Sequence, residues 1–311
     1  MAFVAATFGP TSAHAAAPLV KTQAPGFYRM MFGDFEVTAL NDGVVAYPTA
    51  QVLPSATPEV IQATLSATGL KDPVGMSYNA FLINTGSKLV LIDTGTGGKL
   101  DDSPLFHGAG RLVANLRAAG YQPEQIDEVY ITHVGPDHIG GLTLGNQRAF
   151  PNAVLRTSKA EMDAYLNSDK AREDKFWHPF RSNLFEPYIV AGRFRSFDQD
   201  MALVPGIRAL ATPGHTPGHT SFVIESKGQT LIVLGDLVLM GAMQFSDPTL
   251  SSPFDADPNA ATAQRKRMLH LAADHDHWVA GAHLSFPGIG HVRFKHGQYS
   301  WKPVNYTIPQ Q

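Results

Sequence analysis

Short apolar runs end in turn residues along this chain, and several are followed by segments with apolar side chains at helical spacing. Residues 35–40 alternate apolar and polar positions and stop at Asn41-Asp42-Gly43, which predicts a strand and its hairpin turn. Strands over 78–84 and 88–92 follow, joined by Thr85-Gly86-Ser87. A helix is expected over 111–119, with Leu112, Val113 and Leu116 on one side and Gly120 as its stop. Strands over 128–131 and 154–156 come next, then a helix over 158–166. From residue 194 a second group of strands begins: 194–197, 207–211, 220–225 and 230–234. A helix over 260–273 should carry Arg265, Lys266 and Arg267 on its solvated side, a strand over 278–281 follows it, and an edge hairpin over 292–304 turns at His296-Gly297-Gln298. Helices flanking two successive strand groups predict an α/β protein, an αββα sandwich in a single domain with its site at the strand ends.

Three stretches depart from the pattern. Residues 52–71 are mixed, with Pro54 and Pro58, and are expected near the site mouth. Residues 97–110 form a glycine-rich loop that includes Phe106 and His107. Residues 167–190 begin charged and turn aromatic, with Phe176, Trp177, His178, Phe180, Phe185 and Tyr188, as a lid over a pocket would.

Composition narrows the partners. The 311 residues are 44% hydrophobic and 16% charged, enough apolar mass for a sizeable core. A net charge of −3 gives no basic footprint for nucleic acid, and no apolar run reaches the length of a membrane span. There are no cysteines, which excludes disulfides, thiolate metal sites and a cysteine nucleophile. Residues 1–25 read as a signal-peptide remnant and flexible segment: Ala13-His14-Ala15 has the small-x-small form of a cleavage site, yet no Lys or Arg precedes Lys21. A periplasmic or secreted location is the expectation, with residues 26–311 as the folded domain.

The chemistry gathers where strand 128–131 runs out, at His133-Val134-Gly135-Pro136-Asp137-His138, followed by Ile139-Gly140-Gly141. Imidazoles from His133, His138, His215 and His283, with carboxylates from Asp137 and Asp236, make a donor set suited to zinc, and also to manganese, iron or cobalt. An isolated histidine at a strand end is more often structural than a ligand; four of them at the ends of different predicted strands reverse that inference. Asp274-His275-Asp276-His277 looks richer still, but it closes a helix, where imidazoles complement the helix dipole. Surface or structural roles are expected for His107, His178 and His291.

This loop resembles the His-x-His-x-Asp-His signature of the metallo-β-lactamase superfamily, with Gly135 in place of the second histidine. Leu91-Ile92-Asp93-Thr94-Gly95, Thr212-Pro213-Gly214-His215, Leu234-Gly235-Asp236 and Gly281-Ala282-His283 stand in the superfamily's order. Pro25-Gly26-Phe27-Tyr28-Arg29-Met30, Ala119-Gly120-Tyr121-Gln122-Pro123 and the run from His283 to His291 are similar to the methyl parathion hydrolase and lactonase subgroup. The resemblance implies a metal-dependent hydrolase with one or two Zn2+ ions. His133 and His215 would form the first metal position and Asp137, His138 and His283 the second, with Asp236 bridging; Asp137 and Asp236 would be catalytic. Bound water in such a site has a pKa of roughly 7. Asp93 is expected to orient the metal loop, and His219, four residues after His215, to support it.

Because glycine cannot ligate, the first position should hold its ion weakly, and a weakly active or non-catalytic binding protein is the rival reading. Phe106, Trp177, Phe180, Leu239 and Phe254 are expected to make an apolar pocket for a small neutral aromatic substrate, a lactone or aryl ester, with organophosphate triester hydrolysis as a promiscuous reaction. A β-lactamase is disfavoured, since no Lys or Asn is evidently placed to hold a carboxylate. The resemblance also implies a homodimer, for which Tyr28, the lid aromatics and the tail are candidate surfaces.

Overall fold

A computed structural model describes residues 17–99, 103, 106–198 and 200–306. The expected signal remnant over 1–15 lies outside the described residues. The first sheet contains β1 (Phe27–Phe32), β2 (Phe35–Tyr47), β3 (Val74–Asn84), β4 (Leu89–Ile92), β5 (Glu128–Tyr130), β8 (Val154–Ser158) and β9 (Phe194–Phe197), adjacent in that order. A small ribbon, β6 (Thr143–Leu144) with β7 (Gln147–Arg148), interrupts the chain between β5 and β8. The second sheet runs β10 (Ala202–Val204), β11 (Ile207–Ala211), β12 (Thr220–Ser226), β13 (Gln229–Val233), β14 (Trp278–Ala280), β15 (Ile289–Lys295) and β16 (Gln298–Pro303).

Alternation along the central strands explains the layers. Tyr130 joins Phe81, Ile92 and Phe222 in the core between the sheets, while its neighbours Val129 and Ile131 pack outward against Leu112, Leu116, Leu184 and Phe185. In the second sheet Leu231 and Val233 face the shared core. Ile232 points the other way, onto Met268, Leu269 and Ala272 of the helix Pro258–Asp274. The result is helix, sheet, sheet, helix.

The parallel pairs β4–β5, β5–β8 and β13–β14 align strand ends, so the segments leaving β4, β5, β13 and β14 emerge along one edge. Those segments carry Asp93, His133 to His138, Asp236 and His283. β12 runs antiparallel to β13, so the loop that precedes it brings His215 to the same edge.

Several expectations are corrected. Asn41-Asp42-Gly43 makes no hairpin turn; it is a register shift inside the long strand β2. The bulge buries Asp42, whose carboxylate accepts from the Thr96, Gly110 and Leu112 amides at 2.8–2.9 Å and so anchors the glycine-rich loop. Residues 194–197 form β9, which pairs with β8 and closes the first sheet instead of opening the second. The stretch over 167–190 is mostly helical, as Asp169–Glu173 and Trp177–Val190, with Leu184, Phe185 and Tyr188 buried in the outer core. Arg265 is fully buried, not solvated: it donates to the carbonyls of Leu237, Pro248 and Leu250 and lies 3.7 Å from Asp255. Tyr28, a candidate dimer residue, is buried within its own chain and donates to Asn305 O at 3.1 Å.

Candidate metal centre

The loop after β5 is fixed before any ligand is considered. Asp93 Oδ1 accepts from the Thr132 amide and Oδ2 from the Thr132 hydroxyl, both at 2.9 Å. Pro136 begins a single helical turn, Pro136–Ile139, a position where its missing N–H costs nothing. Glu161, wholly buried, accepts from Val134 N, Thr216 Oγ1 and Gly218 N, each at 2.9 Å. One carboxylate thus ties the loop of His133 to the loop of His215.

Six side chains converge on this edge. His133, His215 and Asp236 form one group and Asp137, His138 and His283 another, the ligand atoms of each group lying within 4.8 Å of one another. Asp236 stands between them. Its Oδ2 is 3.2 Å from His283 Nε2, 3.4 Å from His215 Nε2 and 3.7 Å from His133 Nε2, and its Oδ1 is 3.1 Å from His138 Nε2. Asp137 Oδ2 lies 3.5 Å from His138 Nε2 and 3.4 Å from His283 Nε2.

The far side of each ring is held as well. His138 Nδ1 meets Asp93 Oδ2 at 2.8 Å, His215 Nδ1 meets Asp255 Oδ1 at 3.0 Å, and His283 Nδ1 meets the Ser77 carbonyl at 3.2 Å. Among the described residues His133 Nδ1 meets the Thr132 hydroxyl alone, at 3.1 Å. Partners of this kind fix the ring orientation and leave Nε2 facing the centre. His219 lies behind the site: its Nε2 accepts from the Asp236 amide at 3.0 Å, and burial, helped by His215, pulls its pKa down to about 3, so it stays a neutral acceptor.

Does this arrangement suit a cation? With Nδ1–H donating to Asp93, a neutral His138 would turn a lone pair on Nε2 toward the lone pairs of Asp236 Oδ1, so either a proton or a metal ion must come between them. Both atoms are buried without a hydrogen-bond partner. Two acceptors facing each other across 3.1 Å leave an unmet need for positive charge between them. The electrostatics agree. Burial disfavours charge on His138, but Asp236, Asp137 and Asp93 outweigh it and push its pKa well up. Burial likewise opposes ionisation of Asp236, and His138, His283 and His133 outweigh that and hold it well below the usual carboxylate range. Residues for a two-metal site are present.

Gly135 has a steric reading too. A Cβ at this position would fall 2.5 Å from His133 Nε2, so the His133 ring occupies the space above the glycine. The backbone there (φ −65°, ψ 144°) would accept any L-residue.

A cavity of about 250 Å3 opens over the ligands. Leu239 and Phe254 line it, along with Tyr47, Met76, Tyr78, Tyr165 and Arg181. Phe106, Trp177 and Phe180 lie outside this lining: Phe106 packs behind Tyr78 at 6.4 Å between centroids, and Trp177 and Phe180 pack edge to face on each other at 5.7 Å. The lining remains largely apolar and aromatic, through Tyr47, Tyr78, Tyr165, Phe254, Met76 and Leu239, with Arg181 as an added charge. The Tyr47 and Tyr78 hydroxyls are 2.6 Å apart, and burial pushes the Tyr47 phenol up to about 12 and Tyr78 higher, so both remain neutral.

The structure puts the other histidines elsewhere. His275 and His277 stack on each other at 5.3 Å, and Asp276 pairs with His291 and Arg293. His178 Nε2 approaches the Leu166 carbonyl, and His107 is exposed on its loop. Sequence reasoning missed Asp255 and Arg181. Nothing in Ser252-Pro253-Phe254-Asp255-Ala256-Asp257 distinguishes Asp255 from Asp257, but a helical reading of 177–190 would have placed Arg181 one turn from Trp177.

Residues 74–283 match the model of the Metallo-beta-lactamase superfamily. Among curated proteins the chain is similar to N-acyl homoserine lactonase of Bacillus cereus, 27% identical over 199 residues, 60% of this chain and 73% of the relative. Among solved structures, hydrolase AbOPH in the beta lactamase superfamily superposes with a TM-score of 0.84 at 31% identity, covering 92% of this chain and 100% of the other. AidC, a dizinc quorum-quenching lactonase, gives 0.81 at 27% identity, covering 91% and 99%. Fold and donor set together define a metal-dependent hydrolase. The chain belongs to the metallo-β-lactamase superfamily.

Proposed function

We propose that this protein is a lactonase that also hydrolyses aryl esters, with organophosphate triester hydrolysis as a slower side reaction. The observation that carries this reading is the convergence of four histidines and Asp137 on Asp236 beneath one small cavity. Its likeness to N-acyl homoserine lactonase and to the dizinc lactonase AidC supports lactones as substrates and zinc as the metal.

A divalent metal held by His133, His215, Asp236, Asp137, His138 and His283 would supply Lewis acidity toward a carbonyl and a water activated at neutral pH. The chain's own groups do the rest. Asp93, Asp255 and the Ser77 carbonyl aim three imidazoles inward, so little reorganisation is needed when an ion arrives. Asp137 is the most exposed of the carboxylates at the centre. Burial would raise its pKa, but His138 and His283 more than offset this, so it is ionised at neutral pH and can accept a hydrogen bond from the attacking water and orient it.

Zinc-loaded protein should open N-acyl homoserine lactones and dihydrocoumarin faster than it cleaves phenyl acetate, with methyl paraoxon slowest. Fastest turnover of the triester would reverse the ordering. No turnover of any of them with added zinc, manganese or cobalt would favour the non-catalytic reading that Gly135 motivates.

A further inference from the structure

One charge in the cavity has no role in holding metal. Arg181, from the helix Trp177–Val190, lines the same space as His133, His215 and Asp236. Its Nε donates to the Val134 carbonyl of the metal loop at 3.3 Å. Its guanidinium carbon lies 4.7 Å from the centre of the Tyr165 ring and 5.7 Å from that of Trp177. Two rings and a carbonyl therefore hold the group in place, and the Nε bond uses only one of its five N–H donors.

Guanidinium stays charged in proteins, and Arg181 is half-buried at the cavity wall, where its unused donors are available to an anion. The carboxylates whose charge Arg181 feels are engaged elsewhere. Glu161 is committed to Val134, Thr216 and Gly218, and Asp174 accepts from the amides of Phe176 and Trp177. Neither is ion-paired with Arg181 among the described residues. Arg265, the fully buried arginine, has Asp255 at 3.7 Å.

Resting on the ester- and lactone-hydrolase reading above, we propose that Arg181 is a specificity-determining residue. It binds a carboxylate carried by the substrate away from the carbonyl under attack. The planar fork of donors matches a carboxylate, and the metal centre and the guanidinium share one cavity, so a short chain with an acid at one end and an ester at the other meets both. Within the lactones and esters of that reading, those carrying a distal carboxylate are turned over faster than their neutral counterparts.

The test compares kcat/KM of the zinc-loaded full chain for the p-nitrophenyl half-ester of glutarate and for p-nitrophenyl valerate, its neutral counterpart. The wild type should favour the charged ester by about tenfold or more, a gap typical of a charge-assisted hydrogen-bond pair. Arg181→Met should bring the ratio near unity, and Arg181→Lys should keep an intermediate ratio. The neutral ester is the internal reference whatever the absolute rates. An unchanged ratio in Arg181→Met overturns the proposal, as does a fall in Tm for both variants with the preference intact; the residue would then only fasten its helix to the metal loop. If Arg181→Met does not fold, an unchanged ratio in Arg181→Lys overturns it equally. If the wild type cleaves neither ester, the hydrolase reading fails and binding decides alone. Calorimetry should then show glutarate binding about tenfold tighter than valerate, a gap that narrows in Arg181→Lys. Equal affinities for the two acids reject the carboxylate site.

Discussion

The two groups of ligands around Asp236 differ in completeness. Asp137, His138 and His283 bring three donors, with His138 backed by the carboxylate of Asp93 and His283 by the carbonyl of Ser77. The other group has two imidazoles and Asp236. His215 is backed by Asp255, but His133 leans on a hydroxyl, and Gly135 offers no donor. A carboxylate behind an imidazole raises its basicity more than a hydroxyl does. Shared architecture thus does not give equal affinity: the first position should release its ion well before the second.

The harshest way to break this comparison is Asp236→Asn, which weakens both positions at once. It should lower kcat/KM roughly a thousandfold or more, about 4 kcal/mol of barrier, with metal content by plasma emission falling for both ions. Asp93→Asn and Asp255→Asn then separate the positions. Each should cost about 10–100-fold in affinity for one ion, the second for Asp93 and the first for Asp255, read by titration with a competing chelator. Equal loss at both positions from either change would contradict the division. Exhaustive dialysis of zinc-loaded protein should leave one ion per chain, and two retained ions would refute the asymmetry. Gly135→His sharpens the comparison with the smallest effect. The new side chain can ligate only if the His133 ring swings aside, so the net gain at the first position should be about tenfold, seen as a second ion surviving dialysis.

What could be read from sequence follows a physical divide. That these six side chains converge was legible because they sit near glycines or prolines where apolar runs stop, and strand ends on one edge come together. The layers were legible from alternation, as Tyr130 between Val129 and Ile131 illustrates. What failed depended on tertiary context. Asn41-Asp42-Gly43 has turn chemistry, yet hydrogen bonds to Asp42 from a loop far along the chain make it a bulge. Arg265 looked solvated because its three carbonyl partners, on Leu237, Pro248 and Leu250, come from segments 15 to 28 residues away that only the tertiary fold brings to it. Residues 194–197 could not be assigned to a sheet by pattern alone, since either core would have accepted Phe197. The pocket was the least legible part. Its aromatics were picked by composition, whereas Tyr47 and Tyr78 reach it from the paired strands β2 and β3 and Arg181 from a helix.

The buried Glu161 joins the His133 loop to the loop before β12 with one carboxylate, and those loops belong to different sheets. A change that let the sheets slide would strip three donors from an anion with nowhere to go, so movement between the halves of the sandwich is strongly resisted. New substrates can therefore be accommodated more readily at the rim, through Arg181, Leu239 and Phe254, while the ion-holding floor stays rigid beneath them.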